Sequence, residues 1–336
     1  MILRLIFFLA LMALGELASA DPMLVVVEKK ANEVGFYTSS GERVAGVPVG
    51  QTPHEMILDP DGRHLYVSDN GVLWMDYQGP GGNTISIVDI LEQKKVGTIS
   101  LGDFHRPHGM DIDPQSRRMI VTAENPDRLV LVDLDQRSVV EDYDNGGSAP
   151  HMVTLGRQGK WAYASNTGSN TIGAVNLDTG ESVIIPVGEW PQGSVLSSDG
   201  KRLYVTNGKS GTISVIDTAE KEVVGTIVTE KGVNRIVFTP DESTLIYSIG
   251  SYLDGQSTAV GFADVESLEE TDRIQLGGTP LSISLSSNGE YAFAGVQDND
   301  EIYVISVEEK EVVQVIKTPE EAGPDPVLAI GDYQPQ

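Results

Sequence analysis

Four short β-rich runs between Pro191 and Val228, joined by turns too short to hold a helix, constrain the whole chain. They read Pro191–Leu196, Leu203-Tyr-Val-Thr-Asn207, Ile213–Asp217 and Val223–Val228. Asp199-Gly200 supplies the positive φ of a tight hairpin between the first two. A lone four-stranded antiparallel sheet cannot cover both of its faces. It needs copies of itself to stack against.

The copies are present. The proline that opens the unit recurs at Pro53, Pro107, Pro150, Pro191, Pro280 and Pro326, with Val233 in the remaining place. The second run recurs as Leu65–Ser68, Met119–Thr122, Ala162–Ser165, Leu203–Thr206, Leu245–Ser248 and Tyr291–Ala294. The third recurs as Ile85–Asp89, Leu129–Asp133, Ile172–Asn176, Ile213–Asp217 and Ile302–Ser306. The ends complete the count. Met23–Val49 holds a second, third and fourth strand without a first, and one strand, Val327–Ile330, remains after Pro326. Sharing one sheet between the termini closes a ring and removes its open edges. The expected fold is all-β: a seven-bladed β-propeller of four-stranded antiparallel blades, one domain over residues 21–336.

Tyr204-Val-Thr-Asn207 and its weaker copies resemble the signature of the YVTN family of bacterial β-propeller repeats, over essentially the whole chain after residue 20. The resemblance implies the fold. Its relatives include surface-layer propellers, lactonase-like propellers and propeller subunits of periplasmic redox enzymes, so it transmits no single activity. The catalytic pattern of the lactonase-like relatives is not recognisable in these residues.

Met1–Ala20 reads as a secretory signal peptide: Arg4, an apolar run from Leu5 to Leu14, and the small-residue site Ala18-Ser19-Ala20. The chain has no cysteine, hence no disulfide and no thiolate chemistry. Together these lead us to expect a bacterial periplasmic or secreted protein. A formal net charge of −26 argues against nucleic acid and anionic lipid as partners. No stretch after the leader is apolar enough for membrane insertion.

In a propeller the innermost strands line a central channel, and the start of each shares a face with the end of the second strand. The residue after each anchor gives a ring of His54, His108, His151, Gln192, Asn234, Leu281 and Val327. Three of the chain's five histidines therefore occupy one structural position on consecutive blades. The ends of the second strands add Asp69, Asn70, Glu124, Asn125, Asn166 and Asn207. Three imidazoles with Glu124 suit a divalent transition metal such as zinc, copper, nickel or iron, and His105 offers a fourth nitrogen. They suit a small-molecule or anion site as well, and also simple capping of blade starts by the ring nitrogens. Glu55 and Arg235 neighbour ring positions and have the chemistry of a base and an oxyanion clamp. Strand alternation, however, should turn them away from the ring.

Two insertions fall on the same face, Gly71–Gly82 and Ile249–Ser257. Trp74, Met75 and Tyr77 are expected to cover the channel mouth or meet a partner, and glycines on both sides would let the longer loop move as a lid. Asp59-Pro-Asp-Gly62 looks like a calcium loop but coincides with the repeat's hairpin turn.

The expected function is an exported binding or interaction scaffold holding a small molecule or another exported protein at the polar channel mouth. The alternatives are a metal-dependent hydrolase, lactonase or oxidoreductase using the histidine cluster, and a non-catalytic subunit of a periplasmic redox complex.

Overall fold

The computed structural model describes residues 23–74, 77–250, 258–331 and 333–335. Met1–Ala20 and most of the second insertion lie outside them. The described residues form seven four-stranded antiparallel sheets. The innermost strands of blades one to five hold the anchors Pro53, Pro107, Pro150, Pro191 and Val233, and in blade six Pro280 bridges Val296 ahead of the short strand Ser284–Leu285. The seventh pairs the C-terminal strand Pro324–Ala329 with Leu24–Glu28, followed outwards by Glu33–Tyr37 and Arg43–Pro48. The ring is closed by this shared sheet, as the repeat count requires. No helix among the described residues is long and apolar enough to cross a membrane.

The burial pattern shows why the units need each other. Second strands are buried on both faces, as in Leu203–Asn207, whereas the outermost strand Glu222–Val228 is largely exposed. Each of the seven seams between blades holds one apolar cluster. The seam between the last blade and the first contains Val25, Phe36, Leu65 and Val88, so the ring shuts on a core like any other.

One local device recurs at the head of the blades and positions the site. On the innermost strand of blade one, Pro53 pairs with Asp69 and Met56 with Val67, so three steps on one strand match two on the other. That is a β-bulge, and it leaves an amide outside the ladder. The hydroxyl of the second strand accepts it: Glu55 N donates to Ser68 Oγ at 3.0 Å, Gly109 N to Thr122 Oγ1 at 2.9 Å, and Gly193 N to Thr206 Oγ1 at 2.9 Å. Arg235 N does the same to Ser248 Oγ at 3.1 Å. The same hydroxyls reach the next blade, Thr122 donating to the carbonyl of His151 at 2.8 Å and Thr206 to that of Asn234. Where the hydroxyl is threonine, at Thr122 and Thr206, it therefore ties the bulge to the neighbouring blade.

Thr206→Val keeps the shape and removes the acceptor, so it should cost about 1–3 kcal/mol through the orphaned Gly193 amide. Urea unfolding of the variant measures this. A loss below about 0.5 kcal/mol, within the range of an ordinary surface change, would refute the role.

Candidate functional site

The bulge decides which side chains face the axis. It interrupts strand alternation by one residue, so two consecutive residues after each anchor are free to turn inwards. The first set contains His54, His108, His151, Gln192, Asn234 and Leu281, and all six line one axial cavity of about 460 Å³. Glu124 and Trp74 line it too. The expected ring is thus brought together on six blades.

On the seventh blade the expected residue, Val327, is a core side chain of the seam. The strand begins two residues earlier, with Pro324 opposite Glu28 and Val327 opposite Val26. The true anchor is Pro324, and the residue that faces the cavity is Asp325. Gly323, with φ of 63°, stands in the left-handed position that Thr52, Ala149 and Trp190 occupy before other anchors. The Gly-Pro pair was the signal available in the sequence.

The second strands need a matching correction. The residues paired with the anchors are Asp69, Asn166, Asn207 and Glu28. These point away from the cavity. Asn166 Nδ2 donates to Thr171 Oγ1 at 3.3 Å, and Asn207 Nδ2 to Ser214 Oγ at 2.9 Å and Thr212 Oγ1 at 3.2 Å. Both asparagines are fully buried scaffold groups. The following residue faces the axis, which brings Asn70, Glu124, Gln297 and Lys29 to the cavity wall. Sequence reasoning missed Lys29 because the first strand of its blade lies at the far end of the chain.

Glu55 and Arg235 overturn the expectation from alternation. An Arg235 Nη donates to Glu55 Oε1 directly across the axis, from blade five to blade one. Arg235 Nη1 also donates to Asn234 Oδ1 at 3.0 Å, and His108 Nδ1 lies 3.8 Å from Glu55 Oε1. A second buried pair joins Lys29 to Asp325.

The histidines stack rather than converge. His54 and His108 meet edge to face with ring centroids 4.9 Å apart, and His108 and His151 are tilted at 4.0 Å. Among the described residues the potential ligand group whose atoms all lie within 4.8 Å of one another is Asp59, Asp61 and His64, not the ring histidines. Their placement therefore does not fit one shared ion. His105 stands outside the cavity, with Nδ1 3.3 Å from the Gly81 carbonyl. At the hairpin turn, Asp59 is occupied by Arg117 at 2.7 Å and Asp61 by His64 at 2.6 Å, so those groups serve the turn.

Burial, reinforced by the charges of Lys29 and Arg235, holds all three ring imidazoles well below their ordinary pKa. They are neutral at pH 7. His54 Nε2 donates to the Val72 carbonyl at 2.8 Å, which leaves Nδ1 unprotonated. Nδ1 of each ring, Glu124 Oε1, Gln192 Nε2 and Arg235 Nε are buried without a hydrogen-bond partner. So many unpaired polar atoms around one cavity mark a place where something else completes the bonds.

Burial pushes Glu124 up to about 7. Its unfolded value is near 4.5, so between these values the folded chain retains a proton that the unfolded chain has lost. Stability should fall as pH rises through that window, by about 3 kcal/mol in all. Glu124→Gln removes the dependence. The variant should match wild type near pH 4 and exceed it near pH 8 in urea unfolding, whereas a constant difference would contradict the burial.

The insertion is fastened at its base. Gly82 N donates to Asn70 O at 2.7 Å, and a Cβ on Gly71 would stand 2.0 Å from Gly82 N. Arg106 of the next blade donates to the carbonyls of Tyr77 and Gly79 at 2.5 and 2.7 Å. The glycines thus make a pinched neck rather than the hinges of a free lid. Trp74 lines the mouth, but Tyr77 is 58 % exposed and does not line the cavity; Met75 lies outside the described residues. Across the mouth stands Trp190, with Lys209 Nζ 3.8 Å from its ring centroid.

No protein-family model and no curated protein matches the sequence. Solved structures do resemble it. Pseudomonas aeruginosa periplasmic gluconolactonase PpgL aligns with a TM-score of 0.73 at 15 % identity, over 92 % of this chain and 99 % of that one. Kuenenia stuttgartiensis hydrazine synthase gives 0.67 at 18 %, over 84 % and 92 %. Dihydro-heme d1 dehydrogenase NirN, in complex with DHE, gives 0.66 at 19 %, over 93 % and 76 %. At these identities the likeness establishes the propeller fold alone.

Proposed function

We propose that the chain is an exported binding propeller that holds a small molecule in its axial cavity. The observation that carries this reading is the cavity wall: six ring positions, Glu124 and Lys29 converge there, and several of their polar atoms are buried without partners. Such concave, partly apolar sites with a few unpaired polar groups are what small-molecule pockets look like. Export is supported by the leader-like Met1–Ala20, and periplasmic residence is stated in the name of one structural neighbour. The scaffold roles of Thr206 and Asn207 are consistent with the YVTN group.

A second reading, hydrolysis of a small exported substrate, is favoured by Glu124. A carboxyl near pKa 7 is poised to give and take a proton at neutral pH. It requires no metal at the stacked histidines.

The test is native mass spectrometry of the purified protein after incubation with a small-molecule extract of the producing cells. One molecule retained per chain, and lost in His108→Phe, is the expected result. A wild type that retains nothing would overturn the binding reading. Conversion of the retained molecule by wild type but not by Glu124→Gln would establish the second.

A further inference from the structure

The charges around the axis come largely in pairs, unlike the acidic excess of the rest of the molecule. The chain carries −26, yet at the cavity Lys29 is matched by Asp325 and Arg235 by Glu55, leaving Lys209 against Glu124. Burial keeps Glu124 from contributing a full negative charge at neutral pH. Burial is the main cause that keeps the three imidazoles neutral, and the nearby charges of Lys29 and Arg235 add to it in a sense that would also favour an anion.

Donors are available as well as charge. Arg235 spends one Nη on Glu55 and Nη1 on Asn234, while its Nε–H has no acceptor. Gln192 Nε2 is buried without one too. Lys29 donates one of its three N–H groups to Asp325. The wall is also partly apolar: Leu73, Trp74 and Trp190 line it, with Lys209 over the Trp190 face. The cavity thus offers unpartnered donors at Arg235 and Gln192 and aromatic surface at Trp74 and Trp190.

Resting on the binding reading above, we propose that the cavity takes a small organic carboxylate, its anionic group at Arg235 and Gln192 and its apolar or ring portion between Trp74 and Trp190. The inner cations are held by their own carboxylates, so the ligand shares them instead of replacing Glu55. An amine would meet Lys29 and Arg235, and a bare inorganic anion would leave the aromatic rim unfilled.

The experiment uses one scaffold in three charge states: indole-3-acetate, its neutral amide and tryptamine, with inorganic phosphate as a bare anion. Each is titrated into the full chain by calorimetry and thermal shift. Indole-3-acetate should bind at least tenfold more tightly than the other three. The variant Glu55→Gln/Arg235→Gln removes both charges together and leaves no lone buried ion. Its fold is checked by circular dichroism, and it should lose at least tenfold in affinity for indole-3-acetate. Equal binding of the amide or tryptamine would overturn the anionic assignment, and equal binding of phosphate the apolar one. Unchanged affinity in the double variant would overturn the role of Arg235. If no probe binds, the carboxylate assignment fails; the binding reading falls only if native mass spectrometry also finds no retained molecule.

Discussion

A chain ending at Gly323 should fail to fold, and moving Pro324–Ala329 to the other end should restore it. Truncation removes the strand that pairs with Leu24–Glu28 and shares the seam of Leu24, Val26, Phe293 and Val327. Exposing a fully buried aliphatic or aromatic side chain costs about 1.5–3 kcal/mol. Several at once match the 5–15 kcal/mol typical of a whole domain. Backbone groups of an inner strand would also be left unpaired, an open edge inviting aggregation. The permuted control places Pro324–Ala329 ahead of Met23 through a short turn. Ala329 already pairs with Leu24, and Ile330 N donates to Met23 O at 2.8 Å, so a hairpin suffices. Thermal unfolding by circular dichroism should show no cooperative transition for the truncated chain and a near-native one for the permutant. A cooperative transition in the truncated chain would mean that six complete blades stand without closure.

The second large effect is expected at the axis. Arg235→Gln leaves the Glu55 carboxylate buried beside His108 with its cation gone, and Glu55→Gln strands the guanidinium. Each single change should cost about 3–5 kcal/mol, because the remaining charge keeps its desolvation penalty without its partner. Replacing both by neutral groups of similar shape, Glu55→Gln with Arg235→Gln, should come within about 1–2 kcal/mol of wild type. The double-mutant cycle in urea unfolding therefore yields a large favourable coupling across the channel. If the two single losses simply add in the double variant, the residues act separately and the cross-channel pair is not a unit.

The fold was legible in the sequence because the repeat is a statement about packing. Alternation, hairpin turns and a missing first strand at one end are each consequences of a sheet that must be covered on two faces. Much of the site was legible for the same reason: one structural position sampled across the blades gave His54, His108, His151, Gln192, Asn234 and Leu281, all of which line the cavity. What failed was the side-chain direction near the bulge. Simple alternation cannot foresee an inserted step, so Glu55 and Arg235 were turned outwards when they in fact meet across the axis. The same one-residue uncertainty at the end of the second strand put Asn166 and Asn207 in the cavity. At the closing blade the anchor was misplaced from Pro324 to Pro326, which exchanged a charged wall residue, Asp325, for a core valine. Trp74 of the loop lines the cavity, and the loop's fastening depends on Arg106, a residue of another blade that loop composition alone does not reveal.

The bulge at the head of each blade has a consequence for how such a molecule can change over generations. The hydroxyl of Thr206 and the amide of Asn207 are committed to holding the wheel, whereas Gln192 beside them has no such duty. Its counterparts on other blades are histidine, asparagine, leucine or aspartate, on one unchanged frame. Inheritance can therefore edit the axis one spoke at a time. The wheel tolerates each edit, and a new chemistry needs no new architecture.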